Sequence, residues 1–373
     1  CSLASVVIPS LAEGGRLFAT LRSLAANPAA WKNRFLVVVV CNHSQEVDNH
    51  DRLQNEIDLA RLSDYALGSD LNLVWIDAVS PGLEVPANRA GVGFARKLGM
   101  DLALPCLDWS ADPLLVGLDA DTLVEDNYLQ AIDEHFLRSS KGAAVLPYRH
   151  QPGVDSEQQT AIDRYELFLR SYVYGLRLAG SPYAFNTVGS AMACRASSYV
   201  RCGGMNSRKA GEDFYFLQKL AKTDGIDLLS GTIVHPESRV SERVPFGTGR
   251  SMARLLAGDK QGVLFYPAAA FRILSDWLKL VECNIAADTE KILALAAEIS
   301  PVLASYLEQL DWRAVWPGIQ KTHRSSARLQ QAFHVWFDGF RTLRLIHLLC
   351  ETEFGRGEPE AVLPDYFAWE GSP

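Results

Sequence analysis

The sequence predicts an α/β protein with a doubly wound sheet, continued by a helical C-terminal region. Three observations predict it. Short strand-like runs alternate with helical patterns over roughly the first 130 residues, as in sheets covered by helices. The run Phe35–Val40, FLVVVV, is apolar on both faces, which a central parallel strand requires. From residue 251 onward the pattern turns almost wholly helical.

Each element follows in order. ASVVIPS (4–10) is a short apolar run closed by its proline, and 14–26 reads as a helix with Leu17, Leu21 and Leu24 on one face. After FLVVVV comes polar CNHSQEVD, then a helix through 57–62. LNLVWID (71–77) is a third strand, GVGFARKLGMDLAL (91–104) a helix, and PLLVGLDAD (113–121) a fourth strand. Ligands of such sheets bind outside the carboxyl ends of the strands, where Ser10, Asn42 and Asp119 fall. The middle of the chain predicts a strand at AAVLPY, a long helix over 156–179, a Gly-rich section over 189–204, a helix at GEDFYFLQKLAK and one strand over 227–235. Beyond 251, Leu329, Phe333, Trp336, Phe340, Leu343 and His347 recur at three- and four-residue spacing, predicting one amphipathic helix. Trp336 and Phe340 read as core or interface.

Length and composition bound the function. At 373 residues there is room for one large or two ordinary domains, and 48% hydrophobic with 21% charged residues is the balance of a globular protein. A net charge of −8 argues against nucleic acid as a partner, since phosphate backbones need a basic face. Seven cysteines, none in a CxxC pair, indicate neither a zinc site nor a disulfide framework, and a cytoplasmic home is the simplest. No apolar run reaches the roughly 18–20 residues that a spanning helix needs, and no leader segment is visible. Lys321, Arg324, Arg328, Arg341 and Arg344 offer a basic stretch to an anionic membrane surface, which the acids between Glu351 and Glu360 dilute. Peripheral membrane association is therefore admitted but not favoured.

The segment LLVGLDADTLVEDNYL (114–129) poses the chemical question, because a buried strand runs straight into Asp119 and Asp121. Two carboxylates this close are costly without a cation between them. Oxygen-only ligation suits Mg2+ or Mn2+ bridging substrate phosphates. The competing reading makes either residue an N-cap for the following helix.

Here the chain resembles the family 2 glycosyltransferases, of GT-A fold, over roughly residues 4–250. VVIPSLAE is similar to that family's opening strand, with Pro9 and Glu13 in the matching places. CNHS stands where the family usually carries an aspartate pair, so Asn42 would face the base instead. GVGFARKLG matches its G-x-G-x-x-R helix start through Gly93 and Arg96, LDADTLV its DxD segment, and GEDFYF its ED motif through Glu212 and Asp213. The resemblance implies a Rossmann-like mixed sheet sandwiched by helices. It implies a nucleotide-binding half over 1–121, an acceptor half over 122–250 and a helical region over 251–373. It implies a nucleotide-diphosphate-sugar donor contacted by Pro9, Glu13, Asn42, Gly93, Arg96, Asp119 and Arg243, and a glycan or small hydroxyl acceptor. Asp121, with Asp119 and His235, would hold Mn2+ or Mg2+. Asp213, or its neighbour Glu212, would be the general base of an inverting transfer. SRVSERVPFGTGRSM, with Arg239, Arg243 and Arg250 among glycines, reads as a lid over the diphosphate, or as a plain solvated loop. The alternatives are a retaining transferase, in which Asp213 only orients substrate, and a binding protein that has lost the chemistry.

Overall fold

The computed structural model describes residues 2–241 and 247–371. The strands are β1 (Ala4–Ser10), β2 (Phe35–Asn42), β3 (Asn72–Ala78), β4 (Leu114–Gly117), β5 (Leu123–Val124), β6 (Ala143–Val145), β7 (Met192–Arg195), β8 (Ile226–Leu228) and β9 (Val234–His235). The helices that accompany them are α1 (Gly15–Ala25), α2 (Ala29–Lys32), α3 (Asn49–Gly68), α4 (Val92–Ala103), α5 (Tyr128–Arg138), α6 (Ser156–Leu178), α7 (Ala196–Arg201), α8 (Glu212–Thr223) and α9 (Thr248–Leu256). Among the described residues, seven further α-helices follow: α10 (Ala268–Cys283), α11 (Thr289–Ile299), α12 (Pro301–Gln309), α13 (Trp312–Thr322), α14 (Ser326–Trp336), α15 (Gly339–Leu349) and α16 (Pro359–Glu370).

A seven-stranded sheet runs in the order β3-β2-β1-β4-β7-β6-β8. Its first four strands are parallel, β7 runs against both β4 and β6, and β6 pairs in parallel with β8. Val37–Val40 of β2 are buried on both faces, as the apolar run demands. Helix α4 covers β1 and β2 from one side. The predicted fold class, a mixed α/β sheet between helices with a helical C-terminal region, is borne out. The chain divides into two compact units, 1–162 with 187–256, and 163–186 with 257–373.

Three expected elements differ. The single strand over 227–235 is two strands, with β8 in the main sheet and β9 paired antiparallel to β5 in a separate ribbon. The fourth strand stops at Gly117, so Asp119 and Asp121 lie in a turn closed by the Thr122 N–H on the Asp119 carbonyl at 3.1 Å. The long amphipathic helix is interrupted at Phe337, and Asp338 begins a new helix by accepting from the Arg341 N–H at 3.0 Å. Hydrophobic spacing carried across the break because α14 and α15 both send their apolar stripes into one cluster. That cluster is aromatic: Trp312 stacks on Trp316 at 4.9 Å, Trp277 meets Trp312 edge-on at 5.4 Å, and Phe333 stacks on Phe337. Trp336 packs against it, while Phe340 keeps 39% of its surface exposed.

Among the described residues no helix is long and apolar enough to cross a membrane, and six of the cysteines are free thiols.

Candidate active site

Strand direction decides where the candidate residues meet. β1, β2, β4 and β6 end at one edge of the sheet, and antiparallel β7 begins there, since Gly117 and Val145 both face Met192. Ser10, Asn42, the 118–121 turn and the Gly189–Ser190 approach to β7 therefore share that edge.

Arg96 is the hub. It projects from α4 with only 2% of its surface exposed. One terminal nitrogen pairs with Asp119 and the other with Glu212, so a buried guanidinium ties the turn after β4 to the first turn of α8. Burial alone would favour the neutral form. The carboxylates of Asp119, Glu212 and Asp213 outweigh it and hold the Arg96 pKa above its ordinary value. Space for this bridge is made by glycine: a Cβ at Gly189 would overlap the Arg96 guanidinium. At Gly93 a Cβ would stand 2.5 Å from the Arg208 carbonyl oxygen and 2.9 Å from Glu212 Cβ. Gly93 thus lets the start of α4 close on the loop before α8, a packing reason for that position.

Asp213 follows Glu212 in the first turn of α8, partly buried. Its Oδ1 accepts from the Phe214 N–H at 2.7 Å, and among the described residues no ion pair ties it. Burial first, and then the neighbouring Glu212 charge, push its pKa well above the usual carboxylate range against the pull of Arg96. A carboxylate so tuned takes up a proton near neutral pH, the property of a general base.

A second group forms around Glu13. The loop leaving β1 is held from α3, where Asn55 Oδ1 accepts from the Ala12 N–H and Asp58 Oδ2 from the Gly14 N–H, both at 2.8 Å. These bonds sustain a left-handed backbone at Ala12, φ 51°, that an alanine seldom adopts unaided. Glu13, so placed, accepts from Arg239 Nη2 at 2.9 and 2.8 Å, and that nitrogen also lies 3.2 Å from Asp121 Oδ2. Arg239 Nε is 3.3 Å from Glu237. Burial, then the charges of Asp119 and Glu13, push the Asp121 carboxyl up to about 7 in spite of Arg239. Such a carboxylate is short of positive charge. The carboxylate oxygens that Asp121 and Glu13 offer around that guanidinium are the donor type that fits Mg2+ or Mn2+, which take one or two carboxylates and complete their shell with phosphate and water.

The remaining expected residues are placed less centrally. His235, opposite Leu123 in the β5–β9 ribbon, has Nδ1 3.0 Å from the Arg149 carbonyl and Nε2 2.8 Å from Glu125, so both ring nitrogens are engaged. Asp119, Asp121 and His235 each face a different partner. Among the described residues, the group of three metal-type ligands drawn together is Asp48, His50 and Asp51, at the start of α3, where Asp48 caps the helix. Asn42 ends β2 opposite Ala78 and is buried; Pro9 lies opposite Val40. Arg243 falls outside the described residues. Neither Asp119 nor Asp121 caps a helix, since α5 begins later, after Asn127. A cavity of about 550 Å³ opens beside α5, lined among others by Glu134, His135 and Asp227, and none of the expected site residues lines it.

Sequence reasoning missed the residues that hold this edge together. Gln151 Nε2 donates to the carbonyls of Asp121 and His235 at 2.8 and 2.9 Å, fastening the turn to the ribbon. No pattern signals it. Asn55 and Asp58 had a signal: with Leu62 they form the buried stripe of α3, polar where a helix normally turns apolar residues inward.

The fold is of the GT-A type, by its strand order and the lone antiparallel β7. Similar solved structures include TarS of S. aureus in complex with UDP-GlcNAc, with 16% identity, a TM-score of 0.45 and coverage of 86% of this chain and 92% of that one. They also include mannosyltransferase PcManGT from Pyrobaculum calidifontis in complex with GDP-Man and Mn2+, with 17% identity, a TM-score of 0.41 and coverage of 93% and 84%. Likeness at this level says nothing of substrate or chemistry. No family model matches the chain, and no curated protein does.

Proposed function

We propose that this chain is a cation-dependent glycosyltransferase, moving a sugar from a nucleotide-diphosphate donor to a hydroxyl acceptor with inversion. The observation that carries the reading is the Arg96 bridge. It joins the acidic turn after β4 to the acidic start of α8, at the edge where an α/β sheet takes its ligands. Asp213 removes the acceptor hydroxyl proton as the acceptor oxygen bonds to the sugar anomeric carbon. The bond from that carbon to the diphosphate oxygen breaks in the same displacement, and the nucleoside diphosphate leaves with the electron pair. Asp121 holds Mg2+ or Mn2+, which when bound neutralises charge on the leaving diphosphate. Asn42 and Pro9, at the ends of β2 and β1, face the base side. Arg96 fixes Asp119 and Glu212, and so sets the separation between leaving group and base. Within this reading, 1–121 serves the donor, 122–250 the acceptor, and 251–373 is an appended helical region.

The test is transfer measured by NMR with nucleotide sugars and Mn2+. An anomerically inverted product that vanishes with chelator and in Asp121→Ala supports the proposal. Retained configuration, or full activity in Asp121→Ala, overturns the mechanism.

A further inference from the structure

Arg239 stands where positive charge is needed at Asp121. Its Nη2 contacts both Glu13 oxygens and Asp121 Oδ2, and its Nε faces Glu237. Three carboxylates from three separate segments converge on one guanidinium, itself three-quarters buried. Glu237 also pairs with Arg16 at 2.8 Å, but without Arg239 the Glu13 and Asp121 carboxylates would repel in a medium that screens poorly. Asp121 Oδ2, one of the two oxygens it offers a divalent ion, is thereby already taken.

We infer that Arg239 is an internal counter-ion that competes with the divalent cation for Asp121, so that metal entry and the Arg239–Asp121 contact are mutually exclusive. This rests on the proposed cation site, and it adds that the chain holds an occupant of its own there. Glu13 and Glu237 are the partners that keep Arg239 nearby once Asp121 is surrendered. The guanidinium then remains beside a bound diphosphate, with planar donors suited to phosphate oxygens. The device would keep the acidic edge neutralised when donor is absent and weaken capture of free metal.

The competition is read on metal alone, with no donor and no turnover. Mn2+ binding is followed by loss of the free-ion EPR signal for the wild type, Arg239→Met and Arg239→Lys. Removing the competitor is expected to tighten the Mn2+ Kd by about tenfold or more, equivalent to about 1.4 kcal/mol, with Arg239→Lys close to wild type. The Mn2+-induced rise in Tm should likewise be larger in Arg239→Met. Should the metal-free variant not fold, refolding across a Mn2+ titration reads the same exchange: recovery supports it, and no recovery overturns it. Equal or weaker Mn2+ affinity in Arg239→Met overturns the competition while the cation site stands. No Mn2+ binding by any of the three proteins removes the cation site itself, and this inference with it.

Discussion

Asp213 carries in one carboxylate both a chemical role and a stability penalty. Asp213→Asn should lower kcat by about 10²–10⁴-fold, the usual worth of a general base, with donor affinity largely kept. Its sign in stability is opposite. Folding raises the Asp213 pKa from an ordinary 3.8, so the folded state holds the proton more tightly than the unfolded chain. Stability therefore falls as pH rises from about that ordinary value through the raised one. Asp213→Asn should be more stable than wild type at pH 8, with the gap closing toward pH 4; urea melts at both values check it. A gap that widened at low pH would contradict the assignment. Arg96 predicts the reverse. Arg96→Met strands two carboxylates, one of them buried, and should cost about 3–5 kcal/mol in the same melts. At this scale the acids were legible, since Asp119, Asp121, Glu212 and Asp213 stand out at element ends. The arginines' partners were not, because ion pairs 23 to 226 residues apart in sequence leave no local pattern.

Among the elements, α3 decides whether the loop after β1 is in place. Asn55→Ala deprives the Ala12 N–H of its acceptor beneath a left-handed residue. It should cost about 1–3 kcal/mol and raise the donor KM more than it lowers kcat, which steady-state kinetics and a melt together test. Strand and helix alternation was readable because each element announces itself by period. The breaks were harder. Nothing in the apolar spacing marks Phe337 as an end, since Asp338 looks like one more exposed polar residue until its carboxylate is seen capping α15. The 227–235 segment misled for a different reason: two short strands in separate sheets share one continuous stretch of sequence, and pairing partners, not propensity, divide them.

For the whole molecule, the polarity of the sheet is the organising fact. Four parallel strands and one reversed strand bring turns from distant parts of the chain to one edge, and the acidic groups gather there with Arg96 and Arg239 between them. The fold class could be read from the sequence because alternation and a doubly apolar central strand leave few alternatives. The identity of the side chains that would read the base and the acceptor could not, because it depends on a few contacts set by loop geometry.

The most direct test of the central claim is thermal stabilisation by UDP-, GDP- and dTDP-sugars, each with and without Mn2+, on wild type and Asp121→Ala. One donor at 100 times its Kd should stabilise the wild type by about 2.7 kcal/mol with Mn2+, and the effect should disappear in Asp121→Ala. Stabilisation that persists in Asp121→Ala, or a wild type indifferent to every donor in the presence of Mn2+, would contradict it.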